Sequence, residues 1–275
     1  MIERTLVIGS TGFIGRAVAG HLNEQGWNVI GMRRWDSPVD LLENLGIPDI
    51  VADLEDRDAL LHAMSGVNYL VYCAAPDADL PADEYRRRAT IDIRNVLQVA
   101  RDADVERVLV TSTAATVAAD GESEADESED YLPGTAEDHF VEAAYGVEQE
   151  CYRQSADGQD IVTVNPSIVV GPGAHFPARS RLDGVGEERP VNWVGLDRVA
   201  RAHRLALEHG RRGERYIVGG ANGRLGDFYE TVRQTDDVTI EAGGMLGGPK
   251  PYRNRYLLTG GGWLDSRKAE QKLGL

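Results

Sequence analysis

The chain has 275 residues, of which 42% are hydrophobic, 27% charged and 7% aromatic, the make-up of a globular protein rather than a disordered, collagenous or membrane chain. Its 45 acids against 29 Lys and Arg give a formal charge of −16. Such a surface repels phosphate backbones and anionic bilayers, so neither nucleic-acid nor membrane partners are expected.

Met1-Ile2-Glu3-Arg4 leads straight into an apolar strand with no signal-peptide pattern, which predicts a cytoplasmic protein. Thr5 to Ile8 has strand length and is closed by Gly9. A helical pattern follows from Phe13 to Asn23 and stops at Gly26. Strands are predicted at Trp27–Met32, Asp49–Ala52, Tyr69–Cys73 and Val108–Val110. Helices are predicted at Leu41–Leu45, Arg57–Met64 and Tyr85–Ala103. Apolar strands that alternate with helices imply βαβ units around a parallel sheet covered on both faces. The second half is less regular. Ala118 to Pro133 reads as an acid-rich loop, Ala136 to Ser155 as a helix, and Ile161 to Val164 as a strand that Asn165-Pro166 breaks. Gly171 to Pro190 reads as loop, Asp197 as the cap of a helix over Arg198–His209, and Tyr216–Val218 as a further strand.

Gly9-Ser10-Thr11-Gly12-Phe13-Ile14-Gly15 sits between the first strand and the first helix. Gly9 permits a tight turn, Gly12 lets backbone approach a pyrophosphate, and Gly15 lets the helix pack on the sheet. The free N–H groups of the helix start then face the phosphates. The end of the second strand selects the cofactor: an acid there bonds a ribose 2′-hydroxyl, whereas arginine accepts a 2′-phosphate. Arg33-Arg34-Trp35-Asp36 favours NADP over NAD, with Asp36 on a ribose hydroxyl as the alternative.

The chain resembles the extended short-chain dehydrogenase/reductase superfamily, in its NAD-dependent epimerase/dehydratase group and dihydroflavonol-reductase-like branch. The resemblance rests on Thr11 to Gly15, on Asp53-Leu54 after the third strand, on Cys73-Ala74-Ala75, on Arg94-Asn95-Val96-Leu97, and on Asn165 through Gly173. It implies a doubly wound Rossmann domain over residues 1–165 and a small, shortened C-terminal substrate lobe over 166–275, interleaved with the main sheet. It implies cofactor contacts at Gly9, Thr11, Gly12, Phe13, Ile14, Gly15, Arg33, Arg34, Asp53, Leu54, Ala74, Ala75, Pro166 and Ile168. A homodimer through the helices at 85–103 and 136–155 is implied as well.

The family's chemistry uses a Ser or Thr after the fifth strand and a Tyr-x-x-x-Lys helix, whose ammonium lowers the tyrosine pKa. Thr113 fits the first role. Counted back from Asn165-Pro166, the tyrosine and lysine positions fall on Phe140 and Ala144. A second frame makes Tyr145 the tyrosine and puts Gln149 at the lysine position. Either frame lacks the base: the chain has three lysines, all after position 249, and no Lys or Arg between Arg107 and Arg153. A phenyl ring donates no proton, and a tyrosine without the ammonium keeps a pKa near its ordinary value of about 10. Tyr145 and His139 are the candidate stand-ins, with packing for Tyr145 and solvation for His139 as the plainer expectation. Arg179, Arg181 and Arg189 are candidates for a nucleotide-diphosphate substrate, or else offset nearby acids. Trp193 and Trp263 are expected in the core. The remaining histidines lack ligand spacing, so no metal is expected. Two functions follow: an NAD(P)-dependent oxidoreductase or epimerase on a small polar or nucleotide-linked substrate, or a catalytically inactive dinucleotide-binding sensor or assembly subunit.

Overall fold

A computed structural model describes residues 3–117, 123–135, 138–182, 184–241 and 255–275. The first half alternates as the apolar runs require: β1 (Arg4–Ile8), α1 (Phe13–Glu24), β2 (Asn28–Arg33), α2 (Asp40–Glu43), β3 (Asp49–Val51), α3 (Arg57–Met64), β4 (Tyr69–Tyr72), α4 (Ala82–Asp102) and β5 (Arg107–Thr111). The second half adds α5 (His139–Ala156), β6 (Ile161–Pro166), β7 (Ile168–Val170), β8 (His175–Pro177), β9 (Pro190–Gly195), α6 (Leu196–His209) and β10 (Arg215–Val218). It closes with β11 (Ala221–Arg224), α7 (Leu225–Gln234), β12 (Thr239–Glu241), α8 (Arg255–Thr259) and α9 (Arg267–Leu273).

Seven strands form one parallel sheet in the order β10-β6-β5-β4-β1-β2-β3. Side-chain alternation along the strands sorts the core into two layers. Leu6, Ile8, Leu70, Tyr72, Val108 and Val110 face α3, α4 and α5, through Leu60, Met64, Ile93, Leu97 and Val147. Val7, Val71, Leu109, Val162 and Val164 face α1, α6 and α9, through Leu22, Val199, Ala206 and Leu273. This is the doubly wound architecture, and the chain reverses direction across the sheet between β1 and β4, where such folds open a ligand crevice. A third cluster, built on Phe176, Phe228, Tyr229, Leu225 and Leu258, underlies the short sheets β11-β9-β7 and β12-β8. Among the described residues no helix is long and apolar enough to cross a membrane.

Two local expectations are corrected. Asn165-Pro166 does not end its strand, because β6 runs through Pro166 and pairs it with Val218 of β10. The β5 ladder has already closed at the Ser112 N–H to Val164 carbonyl bond of 2.8 Å, so the missing proline N–H falls where no acceptor strand remains. Asp197 lies inside α6, whose N-cap is Gly195. The expected loop Gly171–Pro190 contains a strand, β8, and sequence reading left β7, β9, β11, α7, β12, α8 and α9 without assignment. These are short elements whose partners lie far along the chain.

Candidate active site

The turn after β1 is fixed by contacts that admit no side chain. Gly9 has φ of +79°, and a Cβ there would lie 2.8 Å from the Ala74 nitrogen. A Cβ on Gly15 would lie 2.2 Å from the Gly9 carbonyl oxygen. The Gly12 N–H closes the turn on that same oxygen at 3.0 Å. Helix α1 then starts with no side-chain cap and no acid in its first turn, so its N–H groups and positive dipole end stay available to an anion. The cradle fits a dinucleotide pyrophosphate.

A cavity of about 350 Å³ opens beside this turn. Of the residues expected to contact a cofactor, Gly9, Thr11, Gly12, Arg33, Arg34, Asp53, Leu54, Ala74 and Ala75 line it. Its remaining wall includes Ser37, Asp77, Leu80, Glu84, Arg88 and Asp92, which sequence reading missed. The signal for Asp92 was present, because a carboxylate stands on the buried stripe of α4 among Ala89, Ile93 and Val96. Phe13, Ile14, Gly15, Pro166 and Ile168 do not line this cavity. Phe13 and Ile14 pack on the sheet, and Ile168 is wholly buried.

The two arginines after β2 differ. Arg33 is mostly buried and donates from Nε to Asp49 Oδ2 at 2.6 Å. Arg34 is exposed, and its Nε lies 3.6 Å from an exposed Asp36 carboxylate. Arg34 is therefore the arginine with donors to spare at the cavity mouth.

Beneath the turn, Cys73 heads a hydrogen-bonded chain. The Val199 carbonyl can only accept, so His203 donates to it from Nδ1 at 2.8 Å, and Nε2 accepts from the Thr111 hydroxyl at 2.8 Å. Thr111 in turn accepts from the Cys73 thiol at 3.1 Å. Burial pushes Cys73 up to about 12 and His203 down to about 4, so both stay neutral and the thiol is no nucleophile.

The expected catalytic residues separate. Thr113 is buried, and its hydroxyl accepts from the Ala115 N–H at 3.2 Å, capping a short 3-10 turn. Phe140 packs edge-on against Tyr85 with ring centroids 4.9 Å apart, in the α3–α4–α5 layer. Tyr145, five residues on, faces the other cluster and meets Tyr131 at 5.6 Å. That divergence is what about 100° per residue dictates. Ala144, the lysine position in the frame counted back from Asn165-Pro166, carries only a methyl group, and Gln149, the lysine position in the second frame, carries no charge. His139 is not solvated: its Nε2 is buried without a hydrogen-bond partner among the described residues, and its ring lies 4.0 Å from Phe140.

Behind Thr113 lies a charged network that sequence reading did not foresee. Glu148 is buried, and its Oε1 accepts from Ser112 Oγ at 2.5 Å, Thr116 Oγ1 at 2.7 Å and Asn165 Nδ2 at 2.6 Å. Its Oε2 meets buried Arg215 at 3.3 Å. Arg215 also donates to the Glu127 and Glu129 carbonyls and to Asp130, which docks that stretch of the acid-rich loop on the edge strand β10. The substrate-lobe arginines serve the backbone: Arg179 donates to Leu182 and Val185, and Arg189 to Gly261. Trp263 donates to the Gly223 carbonyl at 3.1 Å, and Trp193 packs on Phe228.

Comparison with known proteins agrees with this geometry. The profile of the NAD dependent epimerase/dehydratase family matches residues 5–185. The chain is 34% identical over 238 residues to a putative dihydroflavonol 4-reductase of Synechocystis sp., covering 81% of this chain and 69% of that protein. It superposes on a nucleoside-diphosphate-sugar epimerase from Pseudomonas aeruginosa with a TM-score of 0.77 at 20% identity, covering 100% of this chain and 92% of that one. It superposes on the Thermus thermophilus UDP-glucose 4-epimerase, solved with NAD, with a TM-score of 0.74 at 18% identity, covering 98% and 92%. At these identities the two structures speak for the fold alone.

Proposed function

The chain belongs to the NAD dependent epimerase/dehydratase family, and from that premise we propose that it binds NADP or NAD along the turn from Gly9 to Gly15. The reaction class is that of an oxidoreductase or epimerase acting on a small polar or nucleotide-linked substrate. The observation that carries this reading is the cradle itself, where Gly9 and Gly15 leave no room for a Cβ beside the free N–H groups of α1. The match of the NAD dependent epimerase/dehydratase family model to residues 5–185 supports it. Arg34, with its spare donors, supports a preference for the 2′-phosphate of NADP. When bound, the dinucleotide supplies redox chemistry, and the chain supplies its binding and orientation. Thr113 and Tyr145 are the residues on which turnover rests. The setting is cytoplasmic and the partners are small molecules, with self-association through α4 and α5.

A second reading is favoured by a specific observation. In the frame counted back from Asn165-Pro166, Phe140 and Ala144 stand at the tyrosine and lysine positions, and Phe140 packs against Tyr85 and His139. A dinucleotide sensor or assembly subunit needs the cradle but no proton donor. Thermal unfolding with NADP, NAD and UDP-sugars, followed by turnover over an alcohol and sugar panel, separates the two. A ligand at 100 times its Kd adds about 2.7 kcal/mol. Turnover that Tyr145→Phe abolishes supports the enzyme. Stabilisation by dinucleotide without turnover supports the sensor. No stabilisation by any nucleotide refutes both.

A further inference from the structure

We propose that residues 123–131 are a strap that couples the outer edge of the main sheet to Tyr145, with Glu127 as its clasp on β10 and Tyr131 as the residue that positions the Tyr145 ring. The role of Tyr145 in turnover rests on the oxidoreductase reading, whereas the coupling itself needs no cofactor. β10 ends the sheet, so alternate residues of it face away from β6. The Glu214 and Val218 carbonyls accept the Thr163 and Ser167 N–H groups at 3.0 and 3.1 Å, and residues 215 and 217 turn their backbone groups outward. An edge of this kind accepts a further strand unless it is covered. Side chains cover this one. The Arg215 carbonyl accepts from Lys268 Nζ at 2.8 Å, the Ile217 N–H donates to Glu127 Oε1 at 2.8 Å, and the Gly219 N–H donates to Ser266 Oγ at 3.0 Å. Lys268 and Ser266 come from α9 and its N-cap, and Glu127 from the strap.

The strap is held along its length. Near its start, the Ala125 N–H donates to the Trp263 carbonyl at 3.1 Å, and the Ala125 carbonyl accepts the Asp265 N–H at 2.8 Å. In its middle, Arg215 donates to the Glu127 and Glu129 carbonyls, both at 2.9 Å. Its far end reaches the site. The Tyr131 N–H donates to the Thr116 carbonyl at 3.2 Å, in the 3-10 turn that Thr113 caps. The Tyr131 hydroxyl donates to Glu142 of α5, and its buried ring meets the half-buried Tyr145 ring edge to face, at 5.6 Å and 63°. Such a pair fixes the orientation of both rings. Tyr131 is the second residue after Glu129, at most about 7 Å along the chain. A strap that leaves β10 therefore takes Tyr131 off Tyr145, and a docked strap holds that ring in place beside the Thr113 turn.

The test is fluorine NMR of the protein with fluorotyrosine in place of Tyr145 alone, beside hydrogen exchange of residues 123–131 read by mass spectrometry. The backgrounds are wild type, Glu127→Ala, Glu127→Gln, Tyr131→Leu and Tyr131→Phe. Exchange in β1 and β4 that matches wild type identifies a folded variant. Loss of a charged hydrogen bond at the clasp speeds exchange of the strap about 10-fold or more in Glu127→Ala. The fluorine resonance then moves toward its position in Tyr131→Leu, where the facing ring is gone. Coupling is mutual, so Tyr131→Leu also speeds exchange of the strap. Glu127→Gln keeps an acceptor for the Ile217 N–H and Tyr131→Phe keeps the ring, so both retain the wild-type resonance. A strap that loosens in Glu127→Ala while the resonance stays in place is an edge cover alone, and that result overturns the inference. Unchanged strap exchange in Glu127→Ala, or an unmoved resonance in Tyr131→Leu, overturns it as well. Failure of every dinucleotide to bind refutes the cofactor reading alone, because none of these measurements uses a ligand.

Discussion

Replacing Arg215 with Met should be among the most damaging single changes in the protein outside the glycine turn. Arg215 is 6% exposed and Glu148 is 1% exposed. Removing the guanidinium leaves the Glu148 carboxylate with three neutral donors, from Ser112, Thr116 and Asn165. It also strips a donor from the carbonyls of Glu127 and Glu129. Breaking one side of a buried ion pair costs about 3–5 kcal/mol. For a chain of this size that lowers Tm by roughly 6–20 °C, at about 2–4 °C per kcal/mol. The assay is urea unfolding beside limited proteolysis of residues 123–131, the loop that Arg215 docks. The double variant with Glu148→Met removes both charges and should cost about 2–3 kcal/mol less than the two single costs combined. A single-variant cost below about 1 kcal/mol, or strict additivity, refutes the claim that this pair is a coupled buried unit.

Three further outcomes are expected. Arg34→Ala weakens NADP by about 10-fold or more and leaves NAD unchanged, because a charged hydrogen bond contributes about 1.5–3 kcal/mol; parallel weakening of both cofactors in titration contradicts a 2′-phosphate role. Asp92 holds its proton more tightly folded, near 6 against an ordinary 3.8, so its contribution to stability falls as pH rises between these values, by about 3 kcal/mol at most. Unfolding free energies of Asp92→Asn minus wild type should therefore climb from pH 4 to 6 and level off above; a flat difference refutes the burial assignment. Phe140→Tyr with Ala144→Lys restores a phenol and an ammonium four residues apart on α5, and should raise dinucleotide-dependent turnover at least about 10-fold over wild type; bound dinucleotide with no gain excludes those positions as the missing pair.

The main sheet was legible because β1, β4, β5 and β6 each carry a run of three or more mostly apolar residues, with shorter apolar stretches in β2 and β3, a signal held within a few residues. The glycine turn was legible for the same reason. Strand β11 was not, since Ala221 to Arg224 carries no large apolar residue and exists through pairing with β9 thirty residues away. The Glu148–Arg215 pair escaped on the same physical ground. Arg215 meets Glu148 across 67 residues and the acid-rich loop across 85 to 88, so only the packed fold reveals its partners. The displacement of Phe140 from Tyr145 was foreseeable from helix geometry, but which of them faces which core was set by α4 packing on α5.

The most direct test of dinucleotide binding at the turn is calorimetric titration of NADP into wild type and a folded Gly15→Ala variant. A Cβ at Gly15 would sit 2.2 Å from the Gly9 carbonyl oxygen and displace the phosphate cradle. Saturable one-to-one binding to wild type, lost in Gly15→Ala, is the expected result. No binding to wild type, or equal binding to both, contradicts it.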